Sequence, residues 1–257
     1  MNILEKIVAR KKIEVAELKQ RGIMPSSPPA FEKCRSLAAA LFREPYPRVI
    51  AEVKKASPSA GLLSADFDPP SLATAYEKGG AAALSVVTDE HFFKGDISWL
   101  ASLRSLVELP LLRKDFIIDP LQVRESRAAG ADAILLIAAI LSRDELRELL
   151  DIAADQGLEC LVEVHDEKEL EKVLSTPAVI IGINNRNLKD FTIDLETTLR
   201  LRKLIPENRL VVSESGIDHH AQLIRLAAAG VQGVLVGTSL VKSGDPTSTL
   251  QKLIRGE

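Results

Sequence analysis

The chain has 257 residues, of which 46% are hydrophobic and 4% aromatic, and its formal net charge is −3. A chain of this length can hold one large domain or two small ones. Aliphatic residues must supply most of its core, which is typical of parallel sheets covered by helices. The balanced charge excludes a whole-protein electrostatic field that would attract nucleic acid or an anionic membrane.

The cysteines and the N-terminal segment narrow the class of protein further. Cys34 and Cys160 are far apart and lack the spacing of a metal site or a disulfide framework. The first residues are charged and amphipathic, unlike a secretory signal, and no apolar segment is long enough to span a bilayer. We therefore expect a soluble, cytoplasmic protein with no metal site and no membrane or nucleic-acid partner.

The N-terminal region is predicted to be helical. Residues 2–20 carry apolar side chains at helical spacing, and Gly22 ends this helix. The lysines of the helix are interleaved with glutamates, so we expect them to lie on a solvated face; they are Lys6, Lys11, Lys12 and Lys19. A second short helix is predicted over residues 36–43.

From Val49 onward, short apolar runs alternate with longer segments of helical spacing. The eight runs are 49–53, 82–87, 111–113, 133–138, 159–164, 179–183, 210–213 and 233–236. Helical spacing is clearest at 143–156, 167–175, 196–204 and 219–229. Glycines precede several runs, where the end of a helix favours a residue that tolerates positive φ; they are Gly80, Gly130, Gly157 and Gly230.

This alternation predicts an α/β protein whose parallel strands are joined by right-handed crossovers. Eight such units favour a closed (β/α)8 TIM barrel with an N-terminal helical extension. An open doubly wound sheet is the alternative, but the first strand lacks the Gly-x-Gly-x-x-Gly turn of that fold. The predicted organisation is a single domain, 1–257, with residues 1–47 as the extension and residues 48–257 as the eight units.

Polar side chains interrupt the apolar runs near their C-terminal ends, which in a barrel meet at one mouth. They are Glu52, Lys54, Lys114, Glu163, Asn184 and Glu214. A single charged residue at a strand end is often a solvated residue or a structural ion pair. Two lysines buried with three glutamates have coupled pKa values, as catalytic groups often do. Such a lysine can donate a proton to a substrate and a glutamate can accept one, although a Schiff-base lysine is an open alternative.

The loops after the seventh and eighth strands predict a phosphate site. Ser215 and Gly216 follow the seventh strand, and Gly237 and Thr238 follow the eighth. In barrels these two loops, with the N-terminus of a short helix, often bind phosphate through backbone N–H groups. The alternative is that both glycines are ordinary turn residues. The loop after the first strand, which contains Ser57, is also predicted to face an anion.

Five segments of the chain resemble the indole-3-glycerol-phosphate synthase family. They are 51–59 (AEVKKASPS), 112–117 (LRKDFI), 161–165 (LVEVH), 181–188 (IGINNRNL) and 213–217 (SESGI). The first and fourth segments are the specific ones, whereas the Gly-Thr-Ser-Leu segment at 237–240 is shared by several phosphate-binding barrels. The resemblance spans essentially the whole chain, including the helical extension.

The resemblance implies a reaction that needs no cofactor and no metal. An anthranilate-derived 1-deoxyribulose 5-phosphate cyclises and loses carbon dioxide and water, giving indole-3-glycerol phosphate in tryptophan biosynthesis. The resemblance implies that Lys114 is the acid of ring closure and Glu163 the base of the later dehydration. It also implies that Lys54 binds an anionic substrate group and can share in proton transfer. In the family pattern, Glu52 and Glu214 orient the lysines. Asn184 and Arg186 position the substrate.

The resemblance also implies two binding regions. The phosphate is expected against Ser57, Ser215, Gly216, Gly237 and Thr238. The anthranilate ring is expected in an apolar pocket of Phe93, Phe116, Leu135 and Leu188, although plain core packing also explains Leu135. Asn187 stands where many relatives carry Asp, which leaves the role of the neighbouring Arg186 less defined.

Two other functions compete with this one. A different phosphate-binding barrel, similar to phosphoribosylanthranilate isomerase or the tryptophan synthase α subunit, is expected to lack paired lysines on the first and third strands. A non-catalytic sugar-phosphate sensor needs the two glycine loops, but no acid and base. We expect a monofunctional chain that is a monomer or a weak oligomer and binds a small sugar phosphate.

Overall fold

A computed structural model describes residues 3–22, 33–45, 47–58, 61–64, 66–187 and 190–256. Eight parallel strands form a closed barrel, and each predicted apolar run falls on one of them. The strands are β1 (Arg48–Val53), β2 (Ala83–Val87), β3 (Leu111–Lys114), β4 (Ala133–Ile137), β5 (Glu159–Val164), β6 (Ile180–Asn184), β7 (Leu210–Glu214) and β8 (Gly233–Val236). Each strand pairs with its neighbours in sequence, and β8 pairs with β1. The predicted (β/α)8 barrel is confirmed, and the doubly wound alternative is wrong.

Helices surround the barrel and lie at both of its ends. They are α1 (Ile3–Arg21), α2 (Leu37–Leu41), α3 (Pro69–Gly79), α4 (Glu90–Phe93), α5 (Ser98–Arg104), α6 (Pro120–Ala129), α7 (Arg143–Asp155), α8 (Glu167–Leu174), α9 (Glu196–Arg202), α10 (His220–Ala228), α11 (Thr238–Val241) and α12 (Pro246–Arg255). A 3₁₀ turn spans Ala138–Ile140, and a two-stranded hairpin joins Ala56–Ser57 to Gly61–Leu62. None of the described helices combines the length and the apolar character that crossing a bilayer requires.

Side chains alternate between the inside of the barrel and the surrounding helices. Those that point outward from β1, such as Val49 and Ala51, pack in the large cluster shared with the helices. Inward-pointing residues such as Ile50 and Leu112 form a second cluster, which Leu37 of α2 joins. In β1 and β3, the next inward positions toward the C-terminus are Glu52 and Lys114. The apolar layer inside the barrel therefore forms a floor beneath the charged side chains.

Lys11 of α1 is buried, with 3% of its surface exposed, so its predicted place on a solvated face is wrong. It lies four residues after Ile7 and four before Val15, and these three residues share the buried face of the helix. Its ammonium pairs with Asp89 Oδ2 at 2.9 Å and with Asp115 Oδ1 at 2.8 Å. Burial alone would lower the pKa of Lys11, but these two carboxylates raise it above its usual range.

The two aspartates connect α1 to the C-terminal end of the barrel. Asp89 accepts hydrogen bonds from the backbone N–H groups of Phe92 and Phe93 and so caps α4. Asp115 directly follows Lys114 and also pairs with Arg113 at 3.0 Å. A helix from the N-terminal extension is therefore fastened to the segments that carry Phe93 and Lys114. The division of the chain into one domain with an extension over residues 1–47 stays a prediction.

Replacing Lys11 by methionine leaves two buried aspartates with one fewer cation. Breaking a buried ion pair in this way costs about 3 kcal/mol, so we expect Lys11→Met to lower the free energy of unfolding by about that amount in urea titrations. The exposed neighbour Lys12 provides the control, because Lys12→Met removes the same charge from the same helix. Equal stability of the two variants would show that the buried network does not stabilise the fold.

Candidate active site

A cavity of about 460 Å³ opens at the C-terminal end of the barrel. All six polar residues predicted at the strand ends line it: Glu52, Lys54, Lys114, Glu163, Asn184 and Glu214. They come from five strands or the residues that directly follow them, and they meet because parallel strands place their C-terminal ends at one mouth. The strand-end positions predicted from sequence are thus brought into one chamber.

Apolar side chains line another part of the cavity. Phe93, Phe116 and Leu135 all contribute, and the two phenylalanine rings lie 6.0 Å apart between centroids. Leu188, the fourth residue predicted for this pocket, lies outside the described residues. Sequence reasoning did not assign further apolar residues to the cavity; they include Ile3, Leu4 and Ile7 of α1, and Phe191 and Ile193 after β6. The apolar face of α1 was the sequence feature that indicated packing of this helix against the rest of the protein.

Lys114 lies between two carboxylates from other strands. Its Nζ is 3.3 Å from Glu163 Oε2 and 3.3 Å from Glu214 Oε2. Lys54 pairs instead with Glu52, two residues before it along the same chain segment. The amide of Asn184 hydrogen-bonds to Glu163. Each lysine therefore has a carboxylate partner, and the cluster contains one more carboxylate than lysine.

Burial and these charges shift the pKa values of the cluster in opposite directions. Burial alone would lower the pKa of Lys114, but Glu214, Glu163 and Glu52 more than offset it, so its pKa lies above the usual range. Burial alone would raise the pKa of Glu163, but Lys114 holds it well below the usual range. For Glu214, burial and the nearby Glu163 outweigh Lys114 and raise its pKa to about 7.

His165 is a charged neighbour of the cluster to which sequence reasoning gave no role. Its Nε2 is 3.3 Å from Glu163 Oε1, and its Nδ1 is 3.0 Å from Glu169 Oε2. Burial alone would lower the pKa of His165, but these two carboxylates raise it to about 10. The signal was present in the sequence, because His165 follows Glu163 at the two-residue spacing that keeps side chains on one face.

Two glycines make room for the carboxylates. A Cβ atom at Gly182 would overlap the carboxylate of Glu214, and one at Gly237 would overlap that of Glu52. Both glycines are on the inward face of the barrel, in phase with Asn184 and Leu235 respectively. Only glycine fits at these two positions while the Glu214 and Glu52 carboxylates keep their places.

The residues predicted to bind phosphate also line the cavity: Ser57, Ser215, Gly216, Gly237 and Thr238. Ser215 and Gly216 have φ values of 70° and 78°, which turns the backbone sharply after β7. Thr238 is the first residue of α11, so free N–H groups at this helix start lie beside the cavity. Two cationic side chains, Arg186 and Lys242, line the same cavity. The arrangement can hold an anionic group by backbone donors and by charge.

Arg186 lies just beyond β6. Its backbone N–H donates to Asn184 Oδ1 at 3.0 Å, and its guanidinium donates to the carbonyl oxygen of Phe191 at 3.3 Å. These contacts hold Arg186 at the rim of the cavity, beside the segment that contributes Phe191 and Ile193 to the lining. Within the described ranges, no group of three or more His, Cys, Asp or Glu side chains is placed to hold a metal ion.

The steric requirement at Gly182 gives a direct test of the charge cluster. We expect Gly182→Ala to displace the Glu214 carboxylate from Lys114 and to lower kcat about 100-fold, since small misplacements of catalytic groups have effects of that size. Gly244→Ala is the matched control, because a Cβ atom at Gly244 meets nothing within 4 Å. Equal kcat values for the two variants would contradict the steric role of Gly182.

Comparisons with a family model and with similar proteins agree on one family. The model of the family described as "Indole-3-glycerol phosphate synthase" matches residues 4–253. An indole-3-glycerol phosphate synthase of Desulfotalea psychrophila is 49% identical over 99% of both chains, and one of Dehalococcoides mccartyi is 53% identical over 80% of this chain and 81% of its own. A solved structure described as "Native KDPGal structure" shares the fold, with a TM-score of 0.62 at 14% identity over 83% of this chain and 95% of its own. The chain belongs to the indole-3-glycerol phosphate synthase family.

Proposed function

We propose that this chain converts 1-(2-carboxyphenylamino)-1-deoxyribulose 5-phosphate to indole-3-glycerol phosphate, with release of carbon dioxide and water, as a carboxy-lyase of tryptophan biosynthesis. The observation that carries the proposal is the position of Lys114, which is 3.3 Å from both Glu163 and Glu214 in a cavity with anion-binding loops. This is an acid placed beside a base in a chamber that accepts a phosphorylated substrate. Family membership supports the same reaction.

Lys114 is the acid for ring closure. The two carboxylates beside it keep its amine protonated, so it holds the proton that the substrate carbonyl needs as the aromatic ring attacks. Partial burial strengthens its electrostatic interaction with the developing oxyanion. Transfer of this proton leaves a neutral amine between Glu163 and Glu214.

Glu163 is the base for the later dehydration: it takes a proton from the new five-membered ring, while the hydroxyl group leaves as water with a proton from Lys54. Before ring closure, the positive charge of Lys114 holds Glu163 ionised and weakly basic. Once Lys114 has given up its proton, that charge is gone and the proton affinity of Glu163 rises. The acid step therefore prepares the base for the dehydration that forms the aromatic indole.

The remaining polar residues bind and orient the substrate. Lys54, held by Glu52, is the cation for the carboxylate that leaves as carbon dioxide. Asn184 contacts both Glu163 and Arg186. It therefore positions the substrate between the base, Glu163, and Arg186 at the rim of the cavity. Phe93, Phe116 and Leu135 supply the apolar walls against which the anthranilate ring packs.

The phosphate binds at the loops after β7 and β8. The N–H groups at the start of α11 and the backbone of Ser215 and Gly216 supply donors, and Ser57 adds a hydroxyl from the loop after β1. We also place the protein in the cytoplasm as a monomer or weak oligomer, without a membrane or nucleic-acid partner. Size-exclusion chromatography with light scattering tests the oligomeric state.

Removal of the acid or the base tests the catalytic roles. We expect Lys114→Ala and Glu163→Gln each to lower kcat by about 10²–10⁴-fold, the usual contribution of a positioned acid or base. The assay follows indole absorbance after addition of the substrate. Lys168→Ala, at an exposed position on α8, is the control and should retain the wild-type kcat. Full activity in either active-site variant would refute the assigned roles.

A new negative charge at the start of α11 tests the phosphate site. Aspartate suits the first turn of a helix, so Thr238→Asp should fold, yet it places a carboxylate beside the substrate phosphate. Like charges in contact cost several kcal/mol, and we expect KM to rise by roughly 10–100-fold. Ser248→Asp makes the same change in the first turn of α12, away from the cavity lining. If both variants keep the wild-type KM, the phosphate does not bind at α11.

A further inference from the structure

The two carboxylates beside Lys114 are nearly equivalent in their contacts with it. Both have an oxygen 3.3 Å from Lys114 Nζ, and their side chains are 3% and 2% exposed for Glu163 and Glu214 respectively. Distance and burial therefore do not decide which of them holds a proton. Asn184 hydrogen-bonds to Glu163, but its amide is neutral. A charged group also distinguishes the two carboxylates.

His165 contacts only one of the two. Its Nε2 is 3.3 Å from Glu163 Oε1, the oxygen that faces away from the contact with Lys114, and its Nδ1 is 3.0 Å from Glu169. Glu169 also accepts a hydrogen bond from the backbone N–H of His165 at 2.8 Å, which fixes the start of α8 against the ring. Glu163 thus has a basic side chain beside each oxygen, Lys114 at Oε2 and His165 at Oε1, whereas Glu214 has Lys114 alone among the ion pairs of the described residues.

The number of charged groups in the cluster explains why the contact of His165 with Glu163 alone is important. Three carboxylates, Glu52, Glu163 and Glu214, face two ammonium groups, Lys54 and Lys114. A protonated His165 adds one positive charge, but its second partner Glu169 adds one negative charge. The buried groups therefore still carry one excess negative charge, which favours uptake of a proton. The other charged residues that line this cavity are Asp89, Asp115, Arg186, Asp218 and Lys242.

We propose that His165, held by Glu169, is a positioning residue that keeps Glu163 ionised, so that Glu214 and not Glu163 takes up the extra proton of the cluster. This inference rests on the proposed function, because it concerns the base of that reaction. It assigns His165 an electrostatic role at the active site without contact with the substrate.

His165 lines a second cavity, of about 430 Å³, whose other residues show what surrounds the ring. Its charged lining residues are Asp166, Glu169, Arg186, Asp194 and Arg200. The arginines have other contacts, since Arg200 pairs with Glu167 and Arg186 donates to the Phe191 carbonyl. The carboxylates paired with the ring are those of Glu163 and Glu169. The raised pKa of His165, about 10, agrees with a ring that stays charged at neutral pH.

The pH dependence of activity and of carboxyl protonation together test the proposal. In the wild type, infrared spectroscopy of the substrate-free protein should show a buried carboxyl that titrates near pH 7, as expected for the pKa of Glu214, about 7. Activity should persist as this group becomes protonated, because Glu163 remains ionised. In His165→Gln, the acid limb of the kcat profile should move up by at least about one pH unit, and the infrared midpoint should also rise.

Two further variants keep the test decisive if His165→Gln fails to fold. Glu169→Gln removes the second carboxylate from His165 and should shift the acid limb in the same direction by a smaller amount. Glu171→Gln, exposed on the same helix, should leave both profiles unchanged. An unshifted acid limb and infrared midpoint in His165→Gln and Glu169→Gln would overturn the proposal.

The infrared titration needs no substrate, so it separates this inference from the proposed function. If the wild type makes no indole product but the infrared midpoint rises in His165→Gln, the function fails while the electrostatic role stands. If the wild type is active and the midpoint is unchanged, the role of His165 fails alone.

Discussion

The contact of Lys114 with Glu163 and Glu214 is the interaction on which the site depends. Burial penalises all three charges. Lys114 compensates the charge of Glu163, whereas repulsion between the two carboxylates contributes to the raised pKa of Glu214. The same contact keeps the lysine protonated and the glutamate ionised, which are the states that an acid and a base need before reaction. Proton transfer then changes the charge of the lysine and with it the basicity of Glu163.

The rest of the fold places these charges. An apolar layer inside the barrel supports them from below, and α1 is fastened above the same end through Lys11. Gly182 and Gly237 leave the space that the Glu214 and Glu52 carboxylates occupy. This arrangement argues against a non-catalytic sugar-phosphate sensor. Such a sensor requires phosphate-binding loops, but it does not require an acid held between two carboxylates.

Sequence predicted the barrel well because its signals are local. Apolar runs and helical spacing depend on neighbouring residues, and two-residue phasing identified Glu52 and Lys54 as side chains on one face. The residues were predicted to converge, and the resemblance implied that Glu214 orients a lysine. The residues alone did not show that Lys114 contacts both Glu163 and Glu214, because this contact joins three strands across the barrel. The prediction that Lys11 is exposed was wrong because its aspartate partners are distant in sequence.

The stoichiometry of the wild-type reaction tests the assigned chemistry most directly. Purified protein should be incubated with 1-(2-carboxyphenylamino)-1-deoxyribulose 5-phosphate while indole absorbance and released carbon dioxide are recorded together. We expect one carbon dioxide for each indole product, without added metal or cofactor. Absence of an indole product, or release of carbon dioxide without ring closure, would contradict the proposed reaction.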